Sequence, residues 1–270
     1  MIASHPSPSV LACPHCTTAL VCDENSARCQ NGHSFDRARE GYFNLLVGGR
    51  IAATVTPGDT PDALAARRRF FSHGGYRPIA EALAAAVGEV DGALLDIGCG
   101  EGFYLSHCVA HSRFGLDVSK RAVQMASRLI SDAQFVVGSA YRLPILNQSC
   151  ETVFSVFAPR PFDEFIRVLQ PGGHWFTVTP GPAHLAQMRP LLEGDAGVKA
   201  REREQRRGEP PPEATDAHRI EFVLELTAET ARDLFMMTPL QWQADASDAT
   251  IDALREVNID VWLSTGSTPS

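Results

Sequence analysis

Beyond residue 77 the apolar residues of this chain fall alternately into short unbroken runs and into stripes at helical spacing. IAEALAAAVGEV (79–90) has apolar residues three and four apart, which predicts a helix. ALLDIGCGEG (93–102) reads as a buried strand running into a Gly-rich turn, with a helix expected after it. FGLDVS (114–119) ends a second strand, KRAVQMASRLI forms the next helix and AQFVVGSA the third strand. TVFSVFAP (152–159) is the fourth strand, FDEFIRVLQPGG a helix stopped by its glycines, and HWFTVTPG (174–181) the fifth strand. IEFVLELTAETARDLFMMTP adds a strand and a helix, and IDVWLSTG closes the chain as a strand. Strands alternating with helices predict an α/β fold with a doubly wound, mostly parallel, Rossmann-like sheet.

The first 76 residues follow a different pattern. Residues 11–46 hold a cluster of Cys and His between two short apolar runs. VGGRIAATVTPGDTPD (47–62) has the Gly, Thr and Pro content of a connector, and ALAARRRFFSHGG (63–75) reads as a short basic helix ending at glycines. The division expected is a zinc-ribbon-like domain at 1–48, a linker with a basic helix at 49–76, and a cofactor domain at 77–270. Within the last, KAREREQRRGEPPPEATD (199–216) is a polar, Pro-rich excursion. With 44% hydrophobic residues the chain of 270 can pack a full core. No apolar run approaches the roughly 18 residues of a membrane helix. The start, MIASHPSPSV, lacks a basic segment followed by an apolar one, so a cytoplasmic protein is expected. A net charge of −8 excludes coating of nucleic acid by bulk attraction but leaves room for a local basic face.

Four of the seven cysteines lie near the N-terminus, in CPHCTTALVCDENSARCQNGHSF, and three of them cluster with a histidine at metal-ligand spacing. Cys13 and Cys16 form a CxxC turn that aims two thiolates at one point, and Cys29 and His33 form a second knuckle after 12 intervening residues. Four such ligands suit tetrahedral zinc in a closed, structural site. The apolar content of the segment is too small to hold a fold alone, so the metal supplies folding energy. His15, inside the CxxC turn, should point away from the metal, and Cys22 is a loop or strand residue that would replace a misassigned ligand.

In LLDIGCGEG an apolar strand ends at Asp96, and Gly98, Gly100 and Gly102 follow. Glycines let backbone turn sharply and approach a ligand closely. Such a turn serves a dinucleotide equally well, but the leading acidic residue favours S-adenosylmethionine, whose ammonium group matches a carboxylate. Asp117, 21 residues after Asp96 at the next strand end, is the expected acceptor for ribose hydroxyls, or else a helix N-cap for which Ser119 competes. Ser139 and Ala140 end the third strand where adenine would lie. Cys99, Cys108 and Cys150 read as small buried residues.

Together these motifs resemble the bacterial 23S rRNA (guanine-N1)-methyltransferases, the RlmA family, over nearly the whole length. The resemblance rests on the zinc segment with GHSFDRAREGYFNLL (32–46), TPGDT (56–60), ARRRFFSHGGY (66–76), DIGCGEG, GLDVSK, RLP, FAPR, TPGPAHL and MTP, in that order. It implies a class I methyltransferase domain, zinc ligation by Cys13, Cys16, Cys29 and His33, cofactor contacts from Tyr76, Gly100, Glu101 and His184, and a homodimer. Two subgroups of the family modify neighbouring guanines of one hairpin. DIGCGEG, RLP and TPGPAHL resemble the subgroup typical of Gram-negative bacteria, and FAPR the one that includes macrolide-resistance enzymes.

Methyl transfer to guanine N1 displaces a proton and spreads negative charge toward O6. Arg160, at the end of Phe157-Ala158-Pro159-Arg160, is the candidate donor to O6, with phosphate contact or helix capping as its other reading. The Ala158 carbonyl would orient the N1 proton, and Pro159 would stiffen the loop. Arg37 and Arg39, and Arg67, Arg68 and Arg69, are candidate RNA contacts, whereas the basic run 199–207 reads as a solvated helix face. Phe35, Tyr42 and Phe43 either stack on bases or pack the small domain. The competing functions are methylation of a small molecule, which would show no dependence on RNA, and RNA binding without catalysis.

Overall fold

The computed structural model describes residues 9–47, 60–191, 208–238 and 247–270. The greater part of the connector and the whole basic run 199–207 lie outside the described residues. Two units divide the chain: Met1–Ile51 with Ala84–Phe176 and Gly266–Ser270, and Ala52–Leu83 with Thr177–Thr265.

In the first unit, β1 (Leu20–Cys22), β2 (Ser26–Cys29) and β3 (Ser34–Asp36) form an antiparallel ribbon. Leu20 pairs with Cys29 and Ala27 with Phe35. The ribbon is tied to the main sheet through β4 (Phe43–Asn44), which adds a parallel edge strand to β7 (Gln134–Val137), with Phe43 opposite Val136. Ala12 N–H donates to the Pro144 carbonyl and Leu146 N–H to the Val10 carbonyl, securing the chain before β1 as well. Tyr42, Phe43 and Leu45 are buried, so the first two are packing residues and the base-stacking reading fails for them.

The main sheet of this unit is ordered β9 (Leu169–Pro180), β8 (Cys150–Val156), β5 (Glu89–Ile97), β6 (Val109–Asp117), β7, β4. Its inner strands are β5, β6 and β8. β5 pairs in parallel with both β6 and β8, and Leu94, Leu95, Asp96 and Ile97 are all buried, as expected of a strand covered on both faces. From β5 the chain steps to β6 and β7 on one side and then to β8 on the other. Strand order therefore reverses at the β5/β8 boundary, where ligands bind beyond the carboxyl ends of open α/β sheets.

Two elements differ from expectation. After the glycine turn there is no full helix, only a single 3-10 turn at Leu105–His107. Gly98, Gly100 and Gly102 take φ of +80, +53 and +84, spending the start of the 98–108 connection on left-handed turns before β6 begins. The helix read over FDEFIRVLQPGG is α4 (Phe162–Val168), and β9 (Leu169–Pro180) starts at once. Pro171 disfavours helical backbone at Gln170, and Gly172 at φ +74 takes up the left-handed step. Between β6 and β7 lies α3 (Lys120–Leu129), capped by Ser119, whose hydroxyl accepts from Ala122 N–H.

In the second unit, α1 (Pro61–Ser72) begins at Thr60, which accepts from Ala63 N–H, with Pro61 in its first turn. The next helix, α2 (Arg77–Val87), buries Ile79, Ala80 and Leu83. β10 (Asp216–Glu225) pairs antiparallel with β11 (Glu256–Ser267), and β11 lies beside the end of β9. α5 (Ala228–Met237) starts with a reciprocal cap between Thr227 and Thr230 and packs on α1. The short α6 (Asp248–Asp252) is capped by Ser247. No helix among the described residues is long and apolar enough to cross a membrane.

Candidate functional site

The ribbon brings Cys13, Cys16, Cys29 and His33 together, with their ligand atoms all within 4.8 Å of one another. His33 Nδ1 lies 3.5, 3.6 and 3.4 Å from the Sγ atoms of Cys13, Cys16 and Cys29, and the Cys16 and Cys29 sulfurs are 3.6 Å apart. Zinc bonded at about 2.3 Å to sulfur and about 2.0–2.1 Å to nitrogen gives tetrahedral edges of about 3.6 Å for S···N and about 3.8 Å for S···S. The cluster therefore has the dimensions of a tetrahedral zinc site, and its sulfurs are too far apart for a disulfide. The Thr18 hydroxyl, hydrogen-bonded to Cys16, brings that thiol down to about 5, favouring the thiolate a metal needs. His15 takes no part: its ring lies 4.9 Å from that of His33 and stacks on Phe35 at 5.9 Å. Cys22 is outside the cluster, its thiol 3.5 Å from the Ser9 hydroxyl.

At the β5 end the glycine turn is closely backed. A Cβ on Gly98 would sit 2.4 Å from the Ala158 Cβ, so the loop after β8 leaves room for backbone alone. Asp96 is 1% exposed, and its Oδ2 has no hydrogen-bond partner among the described residues. Burial, reinforced by the nearby Asp117 carboxylate, pushes its pKa well above the usual carboxylate range. A buried acid with an orphaned oxygen beside a glycine cradle fits a ligand that brings a cationic donor, as the ammonium group of S-adenosylmethionine would.

Asp117 stands half-buried at the β6 end. Its Oδ2 accepts from Gly100 N–H at 2.8 Å and its Oδ1 from Ser119 N–H at 2.8 Å. The cap of α3 is the Ser119 side chain, and Asp117 instead ties the β6 end to the glycine turn. Glu101 is buried, and Ser139 and Ala140 are half-buried after β7. Cys99, Cys108 and Cys150 are buried, and burial raises the pKa of all three thiols, which makes them packing residues.

The state of Asp96 has a measurable consequence. A raised folded-state pKa means that, as pH climbs past the ordinary carboxylate value, the unfolded chain ionises first and the fold is penalised until Asp96 itself ionises. Below the ordinary value both states are protonated and the penalty vanishes. Asp96→Asn is expected to flatten this downward slope in cofactor-free protein, as followed by urea unfolding from pH 4 to 8. An unchanged slope would show that Asp96 does not cause it.

Beyond β8, Phe157 adopts φ +53, and the fully buried Ser155 hydroxyl donates to the Pro159 carbonyl at 3.4 Å. Ala158 and Arg160 are half-buried and Pro159 is exposed. Reading the sequence missed both the Ser155 brace and the left-handed Phe157. Neither residue type carries a local signal for such a role.

In the second unit, Tyr76 and His184 are both buried, with Tyr76 Oη 3.5 Å from His184 Nε2. Asp260 N–H donates to His184 Nδ1 at 3.4 Å, which assigns the ring proton to Nε2. Burial lowers the His184 pKa to about 4, so the ring is neutral near pH 7. The TPGPAH turn is anchored by Asp260, which sequence reading had passed over as a strand residue. Ala183 N–H donates to Asp260 Oδ2 at 2.6 Å, and Arg219 bonds both carboxylate oxygens at 3.0 and 2.8 Å. Gly181 is required there, because a Cβ would fall 2.3 Å from Asp260 Oδ1. An acid between Ile259 and Val261 in an apolar strand was the available clue.

Two of the arginines proposed for RNA are occupied internally. Arg37 donates to the carbonyls of Asp23 and Gly41 and to the Gln134 side chain, and lies over the Phe43 ring. Arg69 grips the buried Asp233 through two of its nitrogens. Arg39 and Arg68 are exposed and Arg67 half-exposed.

Comparison with known proteins is consistent with both halves of this geometry. Residues 11–47 match the family model described as RlmA, N-terminal, and residues 94–173 match that of a methyltransferase domain. The chain is 33% identical to the 23S rRNA (guanine(748)-N(1))-methyltransferase of Streptomyces fradiae, over 93% of this chain and 94% of that one. It is 34% identical to a protein of Micromonospora griseorubida provisionally named a 23S rRNA (guanine-N(1)-)-methyltransferase, over 89% of each. A phthiotriol/phenolphthiotriol dimycocerosates methyltransferase of Mycobacterium leprae is 31% identical, but over only 30% of this chain and 35% of its own.

Proposed function

Because the chain belongs to the family of 23S rRNA (guanine-N1)-methyltransferases, RlmA, we propose that it transfers the methyl group of S-adenosylmethionine to N1 of one guanine in a hairpin of 23S ribosomal RNA. The observation that carries this reading is the presence on one chain of a four-ligand zinc cluster and a glycine cradle at the switch point. Similarity to the 23S rRNA methyltransferase covers 93% of the chain, whereas similarity to the dimycocerosates methyltransferase covers 30% of it. The domains at 1–48, 49–76 and 77–270 then serve RNA reading, connection and catalysis. A cytoplasmic homodimer completes the proposal, with light scattering as the check on oligomeric state.

S-adenosylmethionine supplies a methyl group on a positive sulfur, already activated for in-line attack. The chain's residues bind and orient. Asp96 would meet the ammonium group, and Asp117 the ribose hydroxyls. Gly98, Gly100 and Glu101 would hold the cofactor in the turn, and the family resemblance implies Tyr76 and His184 as further cofactor contacts. The Ala158 carbonyl would orient the proton on N1, the atom that receives the methyl group, as that proton leaves to water. Arg160 donates to O6 and stabilises the charge that gathers there, and Pro159 holds the loop.

The test is tritiated-methyl transfer to a 23S rRNA transcript, followed by nuclease digestion and mass spectrometry. N1-methylguanosine at one hairpin position is expected. Guanine 748, the position in the name of the Streptomyces fradiae relative, is the first to map, and methylation of the neighbouring guanine would place the chain in the other subgroup. Absence of label in RNA and in ribosomal particles, with cofactor binding intact, would favour a small-molecule substrate. Arg160→Ala is expected to slow single-turnover methylation by about 10²–10³-fold with RNA affinity little changed. A loss of RNA affinity without a slower chemical step would make Arg160 a phosphate contact instead.

A further inference from the structure

Phe157 combines two unfavourable features at one position. Its backbone is left-handed at φ +53, a region that bulky L-residues avoid, and 38% of its surface is exposed to water. Glycine or asparagine would hold the same turn at lower cost. A residue kept in an unfavourable conformation by its surroundings points to a role beyond the fold. The surroundings that hold it are visible: Ser155 ties down the Pro159 carbonyl, and Ala158 abuts Gly98.

Its place narrows that role. Phe157 is the first residue beyond β8, the strand that pairs with β5 at the switch point, where Phe154 lies opposite Asp96. The next residue along touches the glycine turn of the cofactor site. Tyr141, the other large exposed aromatic among the described residues, follows β7, which two strands separate from β8. An enzyme that modifies a ring nitrogen on the pairing edge of a base must take that base out of its stack and replace the lost stacking with an aromatic or apolar surface.

We propose that Phe157 is the stacking platform for the target guanine. It holds the base by its face, so that the N1 and O6 edge remains open to Ala158 and Arg160. This rests on the RNA-methyltransferase reading above.

Glycine at this position separates the ring from the backbone, because it removes the aromatic face while relieving the left-handed strain. Phe157→Gly is expected to unfold at the same temperature as the unaltered protein or higher. It should bind S-adenosylmethionine with unchanged affinity by calorimetry, and lose about 5- to 150-fold in kcat/KM for the hairpin RNA. Phe157→Tyr, which keeps a ring, should recover most of that loss. Methylation by Phe157→Gly within twofold of the unaltered protein would overturn the proposal, as would a parallel loss of cofactor affinity, which would assign the ring to the cofactor. If the unaltered protein transfers no methyl group to RNA, the RNA reading itself fails and takes this inference with it. A defect confined to the glycine variant leaves that reading intact and supports the platform.

Discussion

Removal of zinc by a strong chelator is expected to unfold the segment from Leu11 to Asp36. The apolar residues buried there are few and small, chiefly Leu11, Ala12, Leu20 and Ala27, besides the ligands Cys13 and Cys29 themselves. Three strands of three or four residues cannot offset their own ordering entropy with that core. Structural zinc contributes an apparent ~10–16 kcal/mol at neutral pH in small zinc-finger peptides, as much as the ~5–15 kcal/mol that stabilises a whole domain. Unfolding should stop near Phe43, which is fully buried and whose strand is paired with β7. Hydrogen exchange should therefore show lost protection over 11–36 and retained protection at β5 and β6. Cys29→Ser should lower bound zinc from one ion per chain to a small fraction, as read by elemental analysis. Full protection of the ribbon in chelator would mean that the metal contributes nothing to its fold.

Gly98→Ala is the second large effect. The new Cβ would meet that of Ala158 at 2.4 Å, and φ is +80, so the substitution combines overpacking with backbone strain. Overpacking costs about 1–3 kcal/mol and the left-handed conformation a further ~1–2 kcal/mol. The turn relaxes instead by moving away from the loop after β8, which displaces the cradle. Binding of S-adenosylmethionine should weaken, and methyl transfer should slow by about 100-fold if the cradle shifts by about 1 Å. The double variant Gly98→Ala with Ala158→Gly removes the colliding partner but not the φ strain, so it should recover part of the stability and part of the affinity. Independent, additive losses in the double variant would refute the contact as the cause.

The zinc-ligand residues and the three glycines of the turn lie close together along the chain and were legible, whereas the contact of Gly98 with Ala158, 60 residues away, was not. Cys13 and Cys16, then Cys29 and His33, are brought together by short turns within single knuckles. The three glycines follow one strand end, and Ser119 caps the helix beginning at the next residue. Alternating apolar runs and stripes were enough to specify a doubly wound sheet, because burial on one or two faces imposes its period directly on the sequence. Where chain length intervened the reading failed, as in the helix expected after Gly102, for which 98–108 leaves too few residues once three left-handed turns are made.

The sequence by itself thus determined which cysteines and histidine would cluster, where the glycine turn would fall and the class of sheet. The tertiary structure decided which distant partners the charged side chains meet and how the loop after β8 is held. Arg69 is held by Asp233 from 164 residues away, Arg37 by Gln134 from 97 and Arg219 by Asp260 from 41. The conformation of Phe157 depends on a buried serine, and on a loop that abuts a glycine 60 residues earlier in the chain. Local periodicity records how much of a residue is buried, but not which distant group it meets. That pairing exists only once the sheet order is set, because side chains so far apart in sequence become neighbours through packing alone.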